Sequence, residues 1–353
     1  MAYTTIDNPG LFFNTVLYTG DGNSSQSITG VGFQPDWVWL KNRSAIAGNH
    51  LSDAVRGKSG SNYYTLVTDT DAAQVVQGDN DGVNTLGTDG FSVGYTNSTA
   101  WNNNGNNYVS WNWLGANGTA SNSNGSITST VSANTTAGFS IVSYTGNGSA
   151  GATIGHGLSS QLDVIFIKNI TDAEAWQTYH RPLGATHHLS LNTAASAQDN
   201  DSRFNDVDPT SSVFTLGNND TVNKNSSNFI AYCFAEKKGY SKFGSYTGNG
   251  NSDGTFIYTG FRPAWIMTKG ASRTTSWDIH DTKRDTFNVA SKHLLAEDSG
   301  AEGNTAILDI LSNGFKFRSS NGDRNASGET YIYMAFAESP FVTAGTKAAG
   351  TAR

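Results

Sequence analysis

Tyr18-Thr19-Gly20-Asp21-Gly22 recurs as Tyr144-Thr145-Gly146-Asn147-Gly148 and again as Tyr246-Thr247-Gly248-Asn249-Gly250. About 23 residues after each tyrosine comes a short apolar run ending in lysine: Trp37-Val38-Trp39-Leu40-Lys41, Val164-Ile165-Phe166-Ile167-Lys168 and Trp265-Ile266-Met267-Thr268-Lys269. Each copy closes on a third anchor, some 85–90 residues after the tyrosine: Tyr108-Val109-Ser110-Trp111-Asn112-Trp113, Phe229-Ile230-Ala231-Tyr232-Cys233-Phe234 and Tyr331-Ile332-Tyr333-Met334-Ala335-Phe336. Three anchors in one order at one spacing define an internal repeat, which sets the architecture before any element is assigned.

The anchors are short, β-branched and aromatic, with turn residues between them, the pattern of strands. In the closing runs nearly every residue is apolar or small, so both faces should be covered. Helical periodicity is almost absent. The expectation is an all-β chain of three tandem, divergent β-sandwich modules, jelly-roll or lectin-like. The boundaries are an N-terminal arm at 1–10, modules at 11–115, 137–236 and 239–342, a Gly/Ser/Asn/Thr linker or edge hairpin at 116–136, and a small-residue tail at 343–353. The short 237–238 junction suggests that the second and third modules abut rigidly, with the first looser. Both termini are poor in core residues, so at least one is expected to be ordered by another subunit.

Composition narrows the partners. Charged residues are only 14% of the 353, net charge is −7 and glycine numbers 39, so the surface is polar but uncharged. Aromatics at 11% argue against disorder. With no clustered Lys and Arg, nucleic acid is not an expected partner. Cys233 is the only cysteine, which excludes an intrachain disulfide and reads as a small core residue. The first residues lack the basic and apolar regions of a signal peptide, and no apolar stretch approaches a membrane span, so membrane insertion is not expected. A protein made in a cytoplasm yet composed for the outside fits a virion component released by lysis.

Twelve residues beyond the repeated lysine stand Asp53-x-x-Arg56 and Asp281-x-x-Arg284, while the second copy has His180 followed by Arg181. Recurrence in divergent copies favours structural ion pairs that hold a loop. Trp176 and Trp277 follow Lys168 and Lys269 by eight residues and read as core. Trp101 stands before Asn102, Asn103 and Asn104, and an exposed indole beside amides can hold a sugar ring, so Trp101, Asn102 and Asn103 are the candidate glycan contact. No zinc-binding histidine spacing occurs. Calcium is the one ion the loops could suit, through Asp79-Asn80-Asp81-Gly82 or Asp199-Asn200-Asp201, although neither has the full spacing of an EF-hand, and no cofactor is expected otherwise. The six glutamates form no repeated acid pair, apart from Glu236 and Glu338 at the ends of closing strands, and there is no nucleophile elbow. No catalytic residues are assigned and an enzyme is not expected.

Around Tyr246 to Gly250, Gly260-Phe261-Arg262-Pro263-Ala264-Trp265 and Tyr331 to Glu338, the chain resembles virion structural and tail-fibre-like proteins of tailed, often marine, bacteriophages. The likeness covers the second and third copies well and the first weakly. It implies a non-enzymatic virion structural protein on the particle exterior, either a fibre or a capsid decoration. The expected partners are other virion proteins and further copies of the chain, in a homo-oligomer or lattice, and a host surface glycan is an expected contact. A lectin-type carbohydrate-binding module is the alternative reading, and a glycan-degrading tailspike the third.

Overall fold

A computed structural model describes residues 4–78, 80–95 and 98–342. Three sheets repeat one strand order. In the first module the opening strand Phe13–Thr19 pairs with the closing strand Asn107–Trp113. That strand pairs with the lysine strand Trp37–Asn42, which pairs with a return strand Asn49–Asp53. The second module repeats this order with Phe139–Thr145, Asn228–Phe234, Val164–Asn169 and Gln177–His180. The third repeats it with Ser241–Thr247, Thr330–Pro340, Phe261–Gly270 and Asp278–Asp281. Each of these strand pairings is antiparallel, and the all-β expectation is met.

Each inner sheet carries a smaller outer layer. That layer is Gln26–Thr29, Gly90–Gly94 and Gly82–Gly87 in the first module, and Ala152–Gly155 with Val213–Leu216 in the second. In the third module the layers join through Ala290–Leu295 into one eight-stranded sheet. Side chains alternate across a strand, and the closing strands use that alternation to serve two cores. Tyr331, Tyr333 and Ala335 face the third module's own outer layer. Ile332, Met334 and Phe336 face inward to a core that all three modules share. Val109, Trp111 and Trp113, and likewise Ile230, Tyr232 and Phe234, supply the other two sides of that core. This is why the closing runs are apolar on both faces.

The equivalent residues Trp113, Phe234 and Phe336 meet one another at its centre. Their ring centroids lie 6.4 Å apart for Trp113–Phe234, 5.9 Å for Phe234–Phe336 and 5.6 Å for Trp113–Phe336. The three modules therefore close on one another around a shared aromatic centre. The first module is not the looser member expected from its linker, because Trp37, Trp39, Trp111 and Trp113 are all buried in the common core.

Two boundary expectations need correction. Within the 116–136 stretch, Ala120–Asn122 and Ser129–Asn134 are strands that extend the second module's inner sheet. Ile127 adds a bridge to Ile154 of the outer layer. The stretch is the edge hairpin and not a free linker; its polar composition suits strands with one face to water. The N-terminal arm is not bare of core residues either, since Ile6 lies in the shared core. The tail at 343–353 lies outside the described residues.

Candidate functional site

The repeated polar residues gather at the three seams between modules. Asp53 Oδ2 accepts from Arg56 Nε at 2.5 Å within the first module, and from the Tyr232 hydroxyl of the second at 2.8 Å. Asp281 Oδ2 accepts from Arg284 Nε at 2.6 Å, and from Trp111 Nε1 of the first module at 3.0 Å. His180, the second module's equivalent, donates from Nε2 to the Tyr333 carbonyl of the third at 3.1 Å. Trp111, Tyr232 and Met334 occupy matching places on the closing strands. Where the partner is Met334, with no polar group to offer, the carboxylate is replaced by a histidine that reaches the backbone. Each module thus grips the next, and the third grips the first.

The side chains at both pairs are essentially fully buried. Burial works against the charge on Asp281, yet Arg284 beside it holds the carboxyl below its usual range. His180, buried and uncharged in character, has its pKa pushed down to about 4 by desolvation. Arg284 also reaches Glu302 at 3.3 Å, and Glu302 takes a two-point grip from Arg43 of the first module at 2.8 Å on each oxygen. Such forked arginine–carboxylate pairs are the strong kind.

A second set of contacts runs around the ring in the opposite sense. Lys41 Nζ donates to the Asp298 carbonyl of the third module at 3.3 Å. Lys168 donates to Asp71 O of the first at 3.1 Å, and Lys269 to Ala194 O of the second at 2.9 Å. Eight residues on, Asn49 Nδ2 bonds Leu295 O, Trp176 Nε1 bonds Val67 O and Trp277 Nε1 bonds Ser190 O. Removal from water pushes all three lysines down to about 8.

The Tyr-Thr-Gly-x-Gly motif has its own buried partner, which sequence reasoning missed. Asn325 accepts from Asn249 N–H at 2.9 Å and donates to Asn249 Oδ1, Asn251 O and Ser319 O. Asn223 and Asn102 do the same work for Asn147 and Asp21. A side chain on Gly248 would stand 2.2 Å from the Ala326 carbonyl, and Gly250 sits at φ +68, so only glycine fits both places. The motif is a turn clamped by a buried amide. A legible signal existed: each of these asparagines lies six residues before the first aromatic of its closing strand.

That clamp overturns the glycan contact. Asn102 is the clamp itself and is fully buried, and Trp101 is 1% exposed, packed 4.4 Å from His50 with its carbonyl accepting from the Tyr18 hydroxyl. Asn103 is partly exposed, but its backbone N–H is held by the Tyr108 hydroxyl. The Trp101 ring face and the Asn102 amide are therefore closed to a sugar. Of the calcium loops, Asp79 lies outside the described residues and Asn200 caps the short helix Asp201–Phe204 by accepting from Ser202 N–H. Among the described residues no group of three or more His, Cys, Asp or Glu side chains stands together as a metal site would need.

Open surface remains at two of the three equivalent inter-module grooves. Between the second and third modules lies a groove of about 710 Å³ lined by Asp163, Arg181, Glu236, Lys238 and Lys242. Its counterpart between the third and first, about 170 Å³, holds Asn14, Lys283 and Glu338. At the junction of first and second modules the chain fills the place itself, with Asn117 N–H on Asp36 Oδ2 at 3.0 Å and Ala116 N–H on Ser132 Oγ at 2.9 Å. A separate cleft of about 240 Å³ in the third module contains Asp278, His293, Asp323 and Arg324. There, despite burial, His280 and Arg324 hold the Asp278 carboxyl far below its ordinary range. A carboxylate held between two such neighbours is a fixed anion and has no proton to give near neutral pH.

These contacts define a class: an all-β chain whose three repeated sandwiches close into a ring about one aromatic core, with buried ionisable groups at every seam. Residues 8–340 match the family described as Domain of unknown function (DUF7483), and the chain belongs to it. No curated protein and no solved structure matches the chain.

Proposed function

We propose that this protein is a non-enzymatic structural component of a bacteriophage virion, carried on the particle exterior as a fibre or capsid decoration. The observation that carries the reading is the placement of its repeated ionisable residues. Asp53, Arg56, Asp281 and Arg284 are buried where one module grips the next, together with the three repeated lysines. Buried ion pairs are costly to assemble and strongly destabilising to break, which suits positions that fix one arrangement. The resemblance around Tyr246–Gly250 and Tyr331–Glu338 supports a virion location. Under this reading the ring is a rigid body. Neighbouring subunits or a host surface would meet it at the open groove bearing Asp163, Arg181, Glu236, Lys238 and Lys242. Mass spectrometry of purified particles tests the location: the protein should be present at a fixed copy number, and a copy number that varies with washing would count against it. Incubation of the purified protein with host envelope polysaccharide should release no reducing sugar. Release abolished by changing one Asp or Glu would replace this reading with a glycan-degrading one.

A further inference from the structure

In the first module the repeated lysine has a neighbour that its two counterparts lack. Lys41 and Asn49 sit directly opposite one another on paired antiparallel strands, which places both side chains on one face. Both are fully buried, and they share an acceptor: the Asp298 carbonyl takes Asn49 Nδ2 at 2.9 Å and Lys41 Nζ at 3.3 Å. In the other modules the position of Asn49 is occupied by Trp176 or Trp277, which offer no carboxamide. A third group completes the set. Asp69 Oδ1 accepts from the Asn49 backbone N–H at 2.6 Å and lies 3.5 Å from Nδ2 of the same residue.

We propose that Lys41 and Asn49 form an intramolecular isopeptide bond, with Asp69 carrying the proton. The neutral amine of Lys41 attacks Cγ of Asn49. An Nζ–Cγ bond forms, the Cγ–Nδ2 bond breaks and Nδ2 leaves as ammonia. The proton lost by Nζ passes through the Asp69 carboxyl to the departing nitrogen. Amine and primary amide become secondary amide and ammonia, so the step needs no oxidant, metal or other reactant. Several features favour it. Desolvation pushes the lysine down to about 8, which raises the fraction present as the nucleophilic free amine. Among the described residues Lys41 Nζ has two acceptors, Ala47 O and Asp298 O, the number of N–H groups a neutral amine can donate. The fold holds the two buried reactants on one sheet face, where proximity replaces a bimolecular encounter. The carboxyl that must move the proton already touches the leaving group.

Tryptic mapping of the purified full-length protein, unfolded before digestion, tests this. With no Lys or Arg before residue 41, an unlinked chain yields a peptide ending at Lys41 and a separate one spanning 44–56. The linked chain yields one branched species, residues 1–43 joined to 44–56, uncut at Lys41 and lighter than its parts by one ammonia. Succinimide formation at Asn49 would also lose ammonia but leave the two peptides separate, so the branch is the deciding signal. Asp69→Asn and Lys41→Arg, each shown to be folded by circular dichroism, should lack the branch. Separate peptides from folded wild-type protein would overturn the proposal. A branch persisting in Asp69→Asn would overturn the role of Asp69.

Discussion

The seams built by the first and third modules use a carboxylate and an arginine, whereas the seam built by the second uses a histidine and a backbone carbonyl. The same strand end does the same job in all three: it reaches the closing strand of the next module. Charge is not what repeats. Asp53 faces a tyrosine hydroxyl and Asp281 a tryptophan N–H, and both need an arginine to satisfy the remaining charge. His180 faces Met334's stretch of strand, where only a carbonyl oxygen is on offer, and a neutral donor is the economical answer. The difference teaches that the repeat preserves a direction of contact, and that the chemistry adapts to what the neighbour presents.

The comparison breaks most visibly at the charged seams. Asp281→Ala should leave the buried Arg284 with only its longer carboxylate contact, to Glu302, and cost about 3–5 kcal/mol in urea-induced unfolding. Replacing Asp281 and Arg284 together by apolar residues of similar size should recover much of that loss. If Asp281→Ala costs no more than a surface change, the seam is not a buried ion pair. Asn325→Ala calibrates the scale away from the seams. It leaves the Asn249 N–H and two carbonyls without their buried partner and should cost about 2–3 kcal/mol by the same measurement. His180→Ala removes one neutral contact and should cost about 1–2 kcal/mol, clearly less than Asp281→Ala. Equal costs at the two positions would erase the distinction between charged and neutral seams.

The lysine contacts add a pH signature. Lys168 and Lys269 are lowered to about 8 in the folded protein, while the unfolded chain keeps the ordinary value near 10.4. Between those limits the unfolded state binds more protons, so stability rises with pH through this window and the gain is lost as pH falls to 8. The slope should be at most about 1.4 kcal/mol per pH unit for each lysine, and Lys269→Met should flatten it. A melting temperature that does not rise from pH 8 to 9.5 would contradict the burial. The smallest effect belongs to the groove. Lys242→Ala opens a half-exposed pair with Glu236 and should change stability by less than about 1 kcal/mol.

Much of this architecture was legible. Tyr-Thr-Gly-x-Gly, the lysine run and the closing run each fall on the same strand or turn in all three modules, and Asp53–Arg56 and Asp281–Arg284 are the ion pairs their spacing suggested. What their spacing does not reveal is that each also serves a neighbouring module. An inward-facing tryptophan such as Trp113 has the same pattern whether its cover is a sheet of its own module or the face of another, so closure of the ring leaves no periodic trace. Trp101 misled for a different reason. Its asparagine neighbours read as a wet loop, but Asn102 is polar because it clamps backbone in the interior. The 116–136 stretch is ambiguous for a related reason, since glycine, serine and threonine compose an exposed edge hairpin as readily as a tether, and the hairpin is the reading that holds.

The shared core also has a history in time, since a ribosome delivers it in order. Trp37 stacks on Tyr232 at 4.5 Å and Trp113 meets Trp265 at 5.8 Å, partners made long after them. While the chain is being synthesised the first module therefore waits with a bare indole face, and such exposed apolar surface is what makes nascent chains stick to one another. Only when Thr330–Pro340 threads between its two neighbouring strands does the last wall of that core arrive. That final strand is the latch of the molecule. A chain cut short before it is not a smaller version of the protein but an open, adhesive intermediate, and chaperone dependence should fall off sharply once residue 336 has emerged.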